Sequence, residues 1–298
     1  MDARALILGL LFAFAWSSAF TSARIIVSEA PPLLSLSLRF AISGAIGVAL
    51  AFALGQRLRL TPLILRSVLV FGLCQNALYL GLNFVAMQWI EASLAAIVAS
   101  TMPLLVALAS FVIFGERLSR LGVLGLFAGI VGTCLIMGTR LTVGADYLGV
   151  LLCLIGVAAL TVATLTVKAV SSSGNLLMVV GLQMLVGSII LVPFGLTLET
   201  WDVTWSPKLI TAFAYTVFVP GLLATWIWFL LVGRIGATPA ATFHFLNPFF
   251  GVVVAWIILG EALGPLDFVG VAVITFGILA VQLARLRGAV KKSSYEDF

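Results

Sequence analysis

Apolar runs of about 20 residues recur along the chain, each long enough to cross roughly 30 Å of hydrocarbon as a helix. Charged residues, proline or glycine bound them. Ten spans are expected, at residues 5–24, 33–54, 66–86, 92–114, 121–138, 147–167, 176–196, 209–231, 237–259 and 266–284. No small-residue cleavage site followed by a polar stretch closes the first run, so it reads as a helix rather than a signal peptide.

The polar residues inside these runs are few and grouped. In the first, Trp16, Ser17, Phe20 and Thr21 share roughly 140° of an α-helical surface; the group reads either as interhelical packing or as the lining of a cavity. In the third, Gln75, Asn76, Tyr79 and Asn83 fall on one arc of about 100°. Two carboxamides in mid-span are too costly to face lipid. They serve either as hydrogen-bond glue between helices or as the wall of a hydrated cavity, and the shared arc favours the cavity. Arg39 lies about two turns inside the second run with no carboxylate beside it, and is either a structural arginine or a substrate contact.

A second pattern overlies the first. At a constant offset of 145, Pro103 falls on Pro248, Gly115-Glu116 on Gly260-Glu261, Leu118 on Leu263, Gly125 on Gly270 and Gly132 on Gly277. The chain is therefore an internal duplication, with one repeat over residues 1–140, a second over 141–288 and a short charged tail over 289–298. Five spans per repeat is an odd number, so the second repeat enters the membrane from the opposite face. Inverted repeats with broken midplane helices are an architecture of secondary transporters. Pro103 frees the Ala99 carbonyl beside Ser100 and Thr101, and Pro248 frees that of His244 beside Asn247. The two prolines read as hinges. Trp226, with Trp228, stands in the eighth run. Gly125 and Gly129 form a GxxxG that packing alone explains.

Composition fixes the class. Hydrophobic residues make up 62% and charged residues 9% of the chain, and the mean hydropathy is +1.24. So few charges cannot clothe a water-soluble surface. The net charge of +5 is a topology signal and not a nucleic-acid footprint: twelve Lys and Arg fall on one side of the ten-span reading and three on the other. Both termini are then cytoplasmic.

Candidate chemistry is sparse. Cys74, Cys134 and Cys153 have no metal or disulfide spacing, and His244 is the only histidine, so neither metal nor cofactor is expected. Every Asp and Glu falls in a loop, a helix end or the tail, which removes the usual intramembrane proton relay. No Walker A motif is present. Facilitated diffusion follows as the expectation, with His244 the one group able to couple protons. An intramembrane enzyme lacks a nucleophile–base pair, and a scaffold or assembly factor has no need of aligned polar faces.

The duplicated Pro, eleven residues, Gly-Glu-x-Leu and glycine-spaced helix resembles the EamA repeat of the drug/metabolite transporter superfamily, as does Arg39-Phe40. The resemblance covers residues 5–286 and extends to YddG-type bacterial exporters of aromatic and other neutral amino acids. It implies an all-α, ten-helix fold with a central cavity, alternating access, and export across the bacterial inner membrane of amino acids such as methionine, threonine and phenylalanine. Another small metabolite or drug is the alternative. The candidate substrate contacts, chosen from the polar faces, are Trp16, Ser17, Gln75, Asn76, Tyr79, Asn83, Ser100, Thr101, Trp226, His244 and Asn247. Replacing Asn83 or His244 with alanine is expected to lower transport without unfolding the chain. The bilayer and the solute are the expected partners, and nothing in the chain specifies an oligomeric state.

Overall fold

A computed structural model describes residues 3–57, 61–115, 119–142, 146–166, 175–235, 240 and 242–296. Among these the regular structure is helical throughout. We label the helices α1 (Ala3–Val27), α2 (Pro32–Ala53), α3 (Pro62–Ala86), α4 (Ala92–Ser100 and Met102–Phe114), α5 (Arg120–Thr142) and α6 (Tyr147–Thr166). They continue as α7 (Leu176–Leu198), α8 (Pro207–Thr216 through Ala224–Ile235), α9 (Thr242–Leu246 and Asn247–Leu259) and α10 (Pro265–Glu296). Seven of the described helices are long and apolar enough to cross a membrane, and α5, α9 and α10 carry shorter apolar stretches. The expected tail does not leave the last helix, which continues past Arg287 to Glu296.

Local chemistry sets the helix ends. Thr61 and Ser206 cap α3 and α8, their hydroxyls accepting from Ile64 N–H at 3.3 Å and Leu209 N–H at 3.0 Å, each with proline next in line. Gly260 closes α9 at φ +67°, a left-handed conformation that side chains resist.

The chain divides into two compact units. The first comprises residues 1–21, 92–145 and 223–298, and the second residues 22–91 and 146–222, so each draws helices from both sequence halves. Because lipid tails are as apolar as leucine, close contact and polar ties must hold such helices together. In the first unit α5 and α10 cross backbone to backbone: a Cβ added at Gly277 would stand 2.6 Å from the Gly125 carbonyl oxygen and from the Gly129 nitrogen. The Gly125–Gly129 pair is thus a helix crossing. In the same unit α4 meets α9 where Ala96 lies against Gly251. The second unit repeats the device between α2 and α7, with Gly44 against Gly181.

Carboxylates and an amide from the loops tie down helix N-termini. Glu261 accepts the backbone N–H groups of Ala92 (2.7 Å) and Ser93 (3.0 Å), capping α4 within the first unit. In the second unit Glu199 caps α2 through Leu33 (2.7 Å) and Leu34 (2.9 Å), while Gln56 accepts from Met178 at the start of α7 (3.1 Å). The Gly-Glu motif therefore has a structural task at its second copy. Glu116, in the first copy, lies outside the described residues.

The departures from α-geometry also follow the offset of 145. The second piece of α4, Met102–Phe114, matches Asn247–Leu259 of α9 residue for residue. Before it, α4 is interrupted at Thr101, and α9 runs as a 3₁₀ helix from Thr242 to Leu246. Pro103 and Pro248 sit one residue into the matched pieces. In α3, Gly72–Leu80 is π-helical, and in α8 so is Val217–Leu223, which begins 145 residues on and is two residues shorter.

Candidate solute-binding site

The π-helical stretch revises the expected polar face of α3. Gln75, Asn76 and Tyr79 lie inside it, so a wheel drawn at 100° per residue does not describe their directions. Asn76 Nδ2 donates to the Gln183 carbonyl of α7 at 2.8 Å, and its side chain lies over Gly187. Asn83 turns to α6: its Oδ1 accepts from Cys153 Sγ at 3.3 Å, its Nδ2 donates to the Tyr79 carbonyl at 2.7 Å, and Gly156 makes room for it. Both asparagines are buried. They tie α3 to two different neighbours and do not line one wall together. Tyr79 is buried with them and Gln75 half-buried.

Ser100 and Thr101 also have local partners. Their hydroxyls donate to the carbonyls of Ala96 (2.6 Å) and Val98 (2.7 Å), back-bonding the last turn before the break in α4.

The first unit brings three of the expected residues together at the break in α9. His244 stands in the 3₁₀ segment and Asn247 opens the α-helix that follows, with Asn247 Nδ2 2.9 Å from His244 Nδ1. An amide nitrogen only donates, so Nδ1 accepts and the imidazole proton sits on Nε2. The pair thus presents one donor, Nε2–H, and one acceptor, Asn247 Oδ1, which is buried and has no partner among the described residues. Aromatic rings enclose the imidazole. Phe12 meets it edge-on at 5.3 Å and Trp16 at 6.4 Å, both from α1, and Trp228 of α8 lies 5.5 Å away. Phe12 in turn touches Trp16 and Trp228 at 5.8 and 4.8 Å. Phe243, beside His244 in sequence, packs over Gly9 of α1 and fixes the two helices together.

The tryptophan of α8 in this cluster is Trp228. Trp226, two residues earlier and so on nearly the opposite side of the helix, is exposed. Phe12, which the sequence reading left out, is buried at the centre. Its place one turn before Trp16 was the available signal. Two further polar groups of α1, the hydroxyls of Ser17 and Thr21, are buried without partners among the described residues. Each such orphan costs about 1–3 kcal/mol unless water or a solute meets it.

The second unit has an open cavity of about 570 Å³ where the α1–α2 turn, the end of α3 and the α7–α8 loop meet, with Glu29, Trp89, Glu199 and Asp202 among its walls. Two of its carboxylates are engaged in loop structure: Glu29 accepts the Ser206 hydroxyl and Glu199 caps α2. Beside it Arg24 donates to the Met87 carbonyl. No group of three or more metal-ligating side chains occurs among the described residues.

Membrane-length apolar helices crossing on glycines, and uncharged polar groups enclosed where those helices break, define a multi-pass membrane protein of the transporter class. The chain belongs to the EamA-like transporter family, which it matches over residues 3–138 and again over 147–283. It is similar to the transporter YvbV of Bacillus subtilis, 28% identical over 273 residues covering 90% of this chain and 88% of YvbV. It is also similar to the inner membrane transporter YedA of Escherichia coli K12, 26% identical over 93% of this chain and 90% of YedA. A solved crystal structure shares the fold at a TM-score of 0.67 and 21% identity, covering 96% of this chain and 99% of that one. The chain is a membrane transporter and not an enzyme.

Proposed function

We propose that the protein exports amino acids, aromatic and other neutral ones such as phenylalanine, methionine and threonine, from the cytoplasm across a bacterial inner membrane. In this reading ten spans form two inverted repeats, residues 1–140 and 141–288, with both termini cytoplasmic and Pro103 and Pro248 acting as hinges for alternating access. The observation that carries it is the uncharged site at the break in α9: a donor and an acceptor from His244 and Asn247, walled by Phe12, Trp16 and Trp228. Rings of this kind accept apolar side chains of varied shape, while dipoles without net charge suit a zwitterion better than an ion. The inner-membrane designation of YedA supports the location. The absence of any Asp or Glu from the middle of the expected spans supports downhill transport without obligatory proton coupling.

Flux of labelled phenylalanine, methionine and threonine into proteoliposomes, with no ion gradient and against empty liposomes, tests the reading. Saturable uptake in which one amino acid competes with another is expected. Absence of flux, with and without an imposed pH gradient, from protein shown to be folded would transfer the reading to another metabolite or drug. Uphill transport driven by a pH gradient would overturn the uncoupled mechanism.

A further inference from the structure

Arg39 of α2 is a buried cation without a counter-ion among the described residues. It begins the third turn of the helix, about 10 Å along the axis from Pro32, and only 5% of its surface is exposed. Its Nε donates to nothing among the described residues. The guanidinium carbon lies 5.3 Å from the centre of the neighbouring Phe40 ring, an attraction that offsets only part of the cost of burying the charge. One turn on, on the same face, Ser43 is fully buried and its hydroxyl too has no partner among the described residues. Other hydroxyls of this unit are satisfied: Ser37 pairs with Ser188 at 3.1 Å, and Thr216 donates to Ser22 at 2.7 Å.

The two orphans face Gly221 in the π-helical segment of α8, and all three residues lie within the second unit. A Cβ added at Gly221 would stand 3.3 Å from Ser43 Oγ and 3.9 Å from Arg39 Nη2. The chain thus places its least bulky residue opposite a guanidinium whose Nε, and a serine whose hydroxyl, have no partner among the described residues. A guanidinium edge matches a carboxylate in a bidentate fork, and a serine hydroxyl adds a third donor. A buried charge that lacks a protein partner is strongly unfavourable unless a ligand supplies one.

We propose that Arg39 and Ser43, opposite Gly221, form a subsite for the carboxylate group of the transported solute. The proposal rests on the amino-acid reading for the solute's identity, but its chemistry is separately testable. The guanidinium is enclosed in this structure, so entry requires α2 to part from Val217–Leu223, a segment whose ladder is already interrupted by Pro220.

The first measurement needs no transport: thermal unfolding of purified protein with 3-phenylpropionate, with its uncharged amide, and with chloride at matched ionic strength. The acid alone is expected to raise the unfolding temperature of the wild type, and Arg39→Gln is expected to abolish the rise. An equal rise with the amide or chloride, no rise at all, or a rise that persists in Arg39→Gln would overturn the subsite. In proteoliposomes, phenylalanine is expected to compete for flux at a concentration at least tenfold below that of phenylalaninamide, and Arg39→Gln to bring the two within threefold. A wild type that accepts both equally would overturn the subsite while leaving amino-acid export standing. A carboxylate-specific thermal shift without amino-acid flux would do the reverse. If Arg39→Gln does not fold, Ser43→Ala, with all charges kept, is expected to reduce the acid–amide discrimination about threefold; unchanged discrimination would overturn the proposal.

Discussion

Glu261 caps α4 through two charge-assisted bonds, to Ala92 N–H at 2.7 Å and Ser93 N–H at 3.0 Å. Replacing it with alanine leaves both donors open at the start of a segment that is almost wholly buried. Hydrogen bonds to charged groups contribute about 1.5–3 kcal/mol each, whereas loss of a helix N-cap costs about 0.5–2 kcal/mol. Glu261 is half-buried at a helix end, so water replaces part of what is lost. We therefore expect Glu261→Ala to destabilise the fold by about 2–3 kcal/mol, and Glu261→Gln, which keeps one acceptor oxygen, by about half that. The assay is unfolding in mixed micelles titrated with SDS and followed by far-ultraviolet circular dichroism, with amide exchange read at Ala92 and Ser93. Ala92→Pro supplies the control. It deletes one of the two donors at a position in the first turn where proline is tolerated. If the carboxylate acts through these N–H groups, the double variant Ala92→Pro/Glu261→Gln loses about 1 kcal/mol less than the sum of the singles. Glu261→Ala within 0.5 kcal/mol of wild type, together with an additive cycle, would refute the reasoning.

Two further outcomes separate roles that residue type alone confuses. Trp228→Ala opens the ring cluster around His244 and should lower amino-acid flux at least tenfold, whereas Trp226→Ala, on the exposed side of the same helix, should leave flux within twofold; equal effects would remove the cluster from the site. Asn83→Ala breaks the tie between α3 and α6 and should cost about 1–2 kcal/mol of stability, measured by the same SDS titration; lost flux in a variant of full stability would restore Asn83 to the substrate wall.

The helical class, the apolar spans and the glycine crossings were legible in the sequence because each rests on local pattern: run length, hydropathy and residue size. Breaks were legible where proline marks them. The π-helical stretch of α3 was not, since Gly72–Leu80 contains no proline and reads as an ordinary apolar helix. Its effect reached the site reading, because the shared arc of Gln75, Asn76, Tyr79 and Asn83 assumed α-geometry throughout. Asparagines then went to helix ties, a use that sequence alone cannot tell from cavity lining, since both require a polar partner in the membrane. At α9 the reading of His244 and Asn247 as neighbours came through, because three residues separate them and any helix places such residues together. Phe12 and Trp228 could not be paired with them in advance, for that contact depends on how three helices meet.

The irregular segments bear on function more than the regular ones do. Val217–Leu223 contains Pro220, which by itself disturbs an α-helix; Gly72–Leu80, at the equivalent place, has no such residue and is π-helical all the same. Two unlike sequences adopting one strained geometry point to a demand from packing, not from local propensity. The same holds for α4 and α9, where an interruption at Thr101 and a 3₁₀ turn ending at Leu246 precede matching pieces of 13 residues each. Backbone irregularity within a bilayer is tolerated where protein or water meets the freed polar groups. The described side-chain orphans of α2 and α9, at Arg39, Ser43 and Asn247, stand beside or opposite these segments. A helix that only had to span the membrane would gain nothing from such breaks. Their recurrence at one offset, with unsatisfied polar groups next to them, is what a fold requires if those groups are to be met by a passing solute.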